Sequence, residues 1–193
     1  MVRFVIESRA DLRAYLAADL NACGIQRWRL RDRVLQRPAH FQRLLRRSEY
    51  WTNTARTPFG RMVAGYFRLR TRFLGERLGY HIPRNVFGPG LSIAHIGPVH
   101  VHIKAKVGAN CRIHQGVTLA EGRPGCYPTV GDDVFLAPSA LVMGVEIGSR
   151  VSVRAGAVVT KAVPDDVEVA GVPARIVKDR RLSAARAGGL VGF

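Results

Sequence analysis

The chain has 193 residues, 47% of them hydrophobic and 23% charged, which is enough to bury the core of one domain. Its formal net charge of +16 is uneven: residues 1–80 hold 17 arginines against 6 acidic residues, a net of +11, and residues 81–193 come to +5. No apolar run reaches membrane-spanning length, Met1-Val2-Arg3-Phe4 lacks signal-peptide form, and Cys23, Cys111 and Cys126 have neither an even count nor metal-ligand spacing. A cytoplasmic protein without a disulfide framework or a zinc knuckle is expected. The basic amino-terminal region suits an anionic membrane surface or a phosphorylated ligand, and its plain account is a solvated arginine-rich surface. Nucleic acid is not an expected partner, because no reader motif accompanies the charge.

The first 79 residues read as helical. Ser8-Arg9-Ala10-Asp11 has the form of a capping box, and Leu12, Tyr15, Leu16 and Leu20 then share one helical face until Asn21 and Gly24 interrupt it. A second helix begins near Pro38 and carries Phe41, Leu44 and Leu45. Thr57-Pro58 opens a third, with Phe59, Met62, Val63, Tyr66 and Phe67 on or near its apolar side, and Gly79 stops it. Arg61, Arg68, Arg70, Arg72 and Arg77 decorate this helix. Its apolar stripe is expected to pack against the following domain or another subunit; peripheral contact with a membrane is the alternative.

Over residues 101–163 the pattern changes to a six-residue period. Aliphatics lead each block at Val101, Val107, Ile113 and Leu119, then at Val130, Leu136 and Val142, and after one five-residue step at Ile147, Val153 and Val159. Four places on stand Ala105, Cys111, Val117, Val134, Ala140, Val145, Val151, Ala157 and Val163. A fixed short period buries its apolar residues only by stacking on neighbouring repeats. Six residues per flat face and three faces per coil give a triangular prism of parallel strands, with glycine at tight corners.

Three stretches add a resemblance. They are Gly90-Leu91-Ser92-Ile93-Ala94-His95; Gln115-Gly116-Val117-Thr118-Leu119 with a loop running to Pro128-Thr129-Val130-Gly131; and Ala170-Gly171-Val172-Pro173-Ala174-Arg175-Ile176-Val177. Over roughly residues 80–178 the chain resembles the hexapeptide-repeat acyltransferases, most of all their serine acetyltransferase branch and its relatives in polysaccharide biosynthesis. The fold this implies is mainly β: a left-handed parallel β-helix at residues 80–169, an α-helical cap at 1–79, and a closing segment and tail at 170–193. The activity implied is acetyl transfer from acetyl-CoA, without a metal, to an acceptor hydroxyl.

The resemblance places a catalytic base at His95, whose imidazole is suited to taking a hydroxyl proton near neutrality. Family members orient that histidine with an acidic residue one coil upstream, where this chain has Gly79-Tyr80-His81-Ile82-Pro83, so His81, Tyr80 or a backbone carbonyl is the expected substitute. Ala94 stands where serine-specific members have a carboxylate, and Tyr127 where they have a second histidine. An ammonium-bearing substrate calls for carboxylates, so a sugar or glycan hydroxyl is the expected acceptor and serine the runner-up. Tyr127 and Glu121, in the loop that interrupts the repeat, are its candidate contacts. For coenzyme A the candidates are Lys161, Arg175, Lys178, Arg180 and Arg181 near the phosphates and the small residues Ala137, Gly156 and Ala157 along the groove. A homotrimer with one active site per interface is implied. Two other classes compete. His95 and His100 have the spacing of a γ-class carbonic anhydrase metal site, although no third histidine lies two coils away, and a noncatalytic scaffold would use the prism for binding alone.

Overall fold

The computed structural model describes residues 5–179; Met1-Val2-Arg3-Phe4, Arg180 and Arg181 lie outside them. Helix α1 (Arg9–Ala22) opens on the capping box, with the Asp11 N–H donating to Ser8 Oγ at 3.0 Å and the Ser8 N–H to Asp11 Oδ2 at 2.9 Å. A four-residue helix, α2 (Asp32–Leu35), has no counterpart in the sequence pattern, being too short to show a period. Helix α3 (Arg37–Thr54) carries proline in its first turn, and α4 (Pro58–Leu78) runs from a Thr57 cap to a left-handed Gly79.

Within the chain, helix α4 packs through the face opposite to its apolar stripe, so that stripe does not meet the following domain as expected. Gly60, Ala64, Thr71, Gly75 and Leu78 are its buried residues, whereas Phe59, Met62 and Tyr66 are exposed and Val63 and Phe67 half-buried. Close approach is the reason. A Cβ on Gly75 would come within 3.1 Å of the Phe41 ring and 2.9 Å of the Tyr80 carbonyl oxygen, so only the small face fits against α3.

Fourteen strands follow among the described residues: β1 (Tyr80–His81), β2 (Ser92–Ile93), β3 (Val99–Val101), β4 (Lys106–Val107), β5 (Arg112–Ile113), β6 (Thr118–Ala120), β7 (Thr129–Val130), β8 (Phe135–Leu136), β9 (Leu141–Met143), β10 (Glu146–Ile147), β11 (Ser152–Val153), β12 (Val158–Val159), β13 (Val167–Ala170) and β14 (Arg175–Asp179). They stack into three faces. The first is β1-β3-β6-β9-β12, the second β4-β7-β10 and the third β2-β5-β8-β11-β13, all parallel, with β14 folding back antiparallel on β13. All ten leading aliphatics are buried, forming the continuous column that a stacked repeat requires.

The corners use two devices. Gly108 and Gly131 sit where coils touch: a Cβ on Gly108 would lie 2.6 Å from the Gly131 carbonyl oxygen. Left-handed backbone at the turns is shared between glycines such as Gly116 and Gly156 and five other residues, Asn110, Asp133, Ser139, Arg150 and Asp166, whose φ lies between 56° and 63°. Among the five, asparagine and aspartate tolerate that conformation best. Asn110 also donates from Nδ2 to Asp133 Oδ1 at 3.0 Å, tying one turn to the next.

A buried guanidinium fastens the cap to the first coil. Arg46 on α3 donates from Nε and Nη2 to Asp19 at 2.8 and 3.2 Å, from Nη1 to Glu49 at 3.1 Å and the Phe87 carbonyl at 2.8 Å, and from Nη2 to the Gly88 carbonyl at 2.6 Å. All five donors of the fork are used. Asp19 Oδ1 accepts in turn from the Gly90 and Leu91 N–H groups, both at 2.9 Å, and Glu49 Oε1 from Asn85 N–H at 2.8 Å. Burial works against the charge on Arg46, but Glu49 and Asp19 overcome it and hold its pKa above the ordinary arginine value.

Candidate active site

His95 stands exposed on the corner between the third and first faces, just after β2. The coil above brings His114 beside it, with ring centroids 5.4 Å apart. Tyr80, at the start of β1, donates its hydroxyl to the His95 carbonyl at 2.9 Å, and its own ring packs edge-on against Phe41. Burial pushes the Tyr80 pKa up, so the phenol remains a donor. Two buried side-chain atoms in the coil over His95, His114 Nε2 and Gln115 Oε1, lack a protein partner. Buried polar groups are nearly always paired, so these two atoms leave hydrogen-bonding capacity open beside His95. Burial, with Arg112 and His95 nearby, lowers the His114 pKa and favours its neutral form.

His81 lies on the outer side of the first face and stacks on His100, with centroids 4.9 Å apart and an 11° interplanar angle. The direct contact to the His95 residue therefore comes from Tyr80, through the backbone. At the other edge of the first face, where it meets the second, a separate cluster forms. His102 stacks on Tyr127 at 4.9 Å, Lys104 Nζ donates to the Tyr127 hydroxyl at 3.0 Å, and Glu121 Oε2 lies 3.9 Å from His102 Nε2. Glu121 Oε1 also accepts from the Gly125 N–H at 2.8 Å, which folds the interrupting loop onto itself. Tyr127 and Glu121 are thus brought together, but at a different corner of the prism from His95. His102 and Lys104 completed this cluster without a signal in the sequence, because their partners lie about one coil away.

The coenzyme candidates divide likewise. Ala137, Gly156 and Ala157 belong to the same corner column as His95: Gly116 N–H donates to the Pro98 carbonyl, Ser139 N–H to Gln115, and Gly156 N–H to Pro138, coil upon coil. At about 4.8 Å per coil, Gly156 stands roughly 14 Å along the prism from His95. Arg175 tops this column, opposite Ala170 in the β13–β14 pair, with its Nη1 donating to the Ala174 carbonyl at 3.1 Å. Lys178 lies further along β14, opposite Glu168, and Lys161 is exposed on the Tyr127 side. A cavity of about 670 Å³ opens elsewhere, on the second face among Val5, Lys106, Thr129 and Glu146. It has no histidine or thiol in its lining, so the chemistry points to the His95 corner instead. No three His, Cys, Asp or Glu side chains are grouped to hold a metal ion among the described residues.

The buried repeat, the polar corner column and the closing hairpin define a hexapeptide-repeat protein. No family model matches the chain. It is 35% identical over 144 residues to the serine acetyltransferase of Synechococcus elongatus, an alignment covering 71% of this chain and 56% of that protein. Its structure matches the Brucella abortus serine acetyltransferase in complex with coenzyme A with a TM-score of 0.69 and 26% identity, over 89% of this chain and 69% of that one. The Neisseria gonorrhoeae serine acetyltransferase in complex with serine gives a TM-score of 0.67 and 25% identity, over 89% and 71%. The chain is a hexapeptide-repeat protein of serine acetyltransferase-like sequence and fold. It spans about half the length of the curated relatives it matches, 56% and 47% of two of them.

Proposed function

We propose that the protein is an acetyl-CoA-dependent O-acetyltransferase with His95 as general base and serine as its first acceptor. One observation carries the reading: an exposed histidine on a β-helix corner, on a fold shared with serine acetyltransferases that include a coenzyme A complex and a serine complex. His95 takes the proton as the acceptor oxygen attacks the thioester carbonyl. The tetrahedral intermediate then expels the thiolate by C–S cleavage, and the imidazolium returns the proton to sulfur. Acetyl ester and free coenzyme A result, with no covalent acyl-enzyme. Coenzyme phosphates are assigned to Arg175 and Lys178, with Lys161 as a further cation, and the pantetheine arm to the column through Ala137, Gly156 and Ala157.

Residues alone put a sugar before serine, and the relatives reverse that order. A specific observation keeps the sugar as the second reading. The single histidine–carboxylate pair among the described residues is His102 with Glu121, so no carboxylate is set at His95 to meet an ammonium group. A homotrimer reconciles the two corners, because neighbouring prisms would bring Tyr127 and Glu121 of one protomer toward His95 of the next. The test is coenzyme A release from acetyl-CoA across free serine, nucleotide sugars and glycan intermediates. Serine giving the highest kcat/KM supports the proposal; turnover confined to sugar-bearing acceptors installs the second reading; no release with any acceptor overturns both.

A further inference from the structure

Helix α4 turns its largest apolar side chains outward. Phe59, Met62, Tyr66, Leu69 and Phe73 recur at alternating steps of three and four residues, which places them on one stripe, and each is between 51% and 68% exposed. The buried small residues Gly60, Ala64, Thr71 and Gly75 lie on the opposite side. Arginines border the stripe. The Arg77 guanidinium lies 4.2 Å from the Phe73 ring centroid and that of Arg70 5.8 Å from Tyr66, while Arg61, Arg68 and Arg72 project from the other flank. The one acid of the helix, Glu76, is already paired with Arg72 at 2.8 Å.

We infer that this face of α4 lies on an anionic lipid surface. An aromatic and aliphatic stripe bordered by guanidinium groups is the form of an in-plane interfacial helix, with rings at headgroup depth and arginines reaching back to the lipid phosphates. At 21 residues the helix is about 32 Å long. No helix of the described residues is long and apolar enough to cross a membrane, so the contact is peripheral. Charge selects lipid over a second copy of the chain. Two copies meeting through this stripe would set arginine against arginine, without the acidic flanking residues that paired helices use to neutralise one another. A headgroup layer carrying acidic lipids supplies the opposite charge along both flanks. The excess of +11 in residues 1–80 points the same way.

The experiment is sedimentation of the full chain with vesicles of phosphatidylcholine containing about one third phosphatidylglycerol, at about 0.1 M salt. Binding to pure phosphatidylcholine is expected to be at least about tenfold weaker. The triple variant Phe59→Ser, Leu69→Ser, Phe73→Ser is expected to lose at least about tenfold on the anionic vesicles, since it removes apolar area that would enter the interface. Removing one flank with Arg70→Gln and Arg77→Gln is expected to lower binding about fivefold per arginine. Thermal unfolding and acetyl transfer should not change, because these side chains are exposed and none is assigned a part in the proposed reaction. Absence of wild-type binding, or equal binding to neutral vesicles, overturns the inference without any variant. Undiminished vesicle binding by the serine variant, coupled to a smaller mass in solution, also overturns it and assigns the stripe to a second copy. Acetyl transfer is read separately, so failure here and failure of the proposed activity are distinct.

Discussion

The ring of His95 is exposed at a coil corner, so the proposed role as general base can be tested without disturbing the core. His95→Ala is expected to slow acetyl transfer by about two to four orders of magnitude with fold and thermal midpoint intact. Near-normal turnover in the folded variant would remove the assignment. Tyr80→Phe tests positioning: losing the hydrogen bond to the His95 carbonyl should move the pH profile of kcat/KM and leave the KM for acetyl-CoA alone. His81→Ala provides the comparison, with the larger profile shift identifying which residue sets the imidazole. A second expectation concerns pH. Burial first, then neighbouring positive charge, lowers the pKa of His114, and burial with His81 and His102 lowers that of His100. A histidine held below its usual pKa binds fewer protons folded than unfolded, so its stability contribution is complete above about pH 6.5 and is lost as pH falls. The unfolding midpoint should therefore drop between pH 7.5 and 5.5, and drop less in His114→Leu; an unchanged slope would assign the loss to other groups. His95 is singled out in the sequence by its motif, and the structure places it exposed at a coil corner. His114 was not assigned a role at this corner, because its place beside His95 depends on coil register rather than on distance along the chain.

Among the elements, the junction of α3 with the first coil depends on one side chain. Arg46→Ala leaves Asp19 and Glu49 buried without their counter-charge and the Phe87 and Gly88 carbonyls without a donor, so denaturant unfolding should show a loss of about 3–5 kcal/mol. Arg46→Lys should recover little of it, because an ammonium has three donors where the fork uses five. A loss under about 1 kcal/mol would mean that the network relaxes and that apolar contacts carry the junction. Helix limits were readable because caps are local chemistry: Ser8 with Asp11, Thr57 with Pro58, and Gly79 each act within a few residues. The inward face of α4 was not readable. Periodicity finds the apolar stripe, but whether that stripe or the small face packs is decided by how closely Phe41 and Tyr80 approach Gly75. Arg46 was hidden for a related reason, since one buried arginine looks like any other in a segment with 17 of them.

For the whole molecule, the proposed activity requires two corners at opposite edges of the first face to meet one acceptor. The prism itself was legible because each stacked coil repeats the same burial requirement, whereas no repeat encodes which residues meet across an interface. If His95 of one protomer works with Tyr127 of its neighbour, Tyr127→Ala should impair the acceptor step while leaving coenzyme affinity nearly unchanged. The decisive measurement mixes that variant with His95→Ala after dissociation and reassembly. In an equal mixture about one interface in four pairs an intact His95 with an intact Tyr127, so activity should rise to about one quarter of wild type although each parent is impaired. A mixture no more active than the average of its parents would place both residues in one protomer's site, or deny Tyr127 a part in it. Full activity of Tyr127→Ala alone would decide for the latter, leaving the His102–Lys104–Glu121 cluster as a brace for the loop.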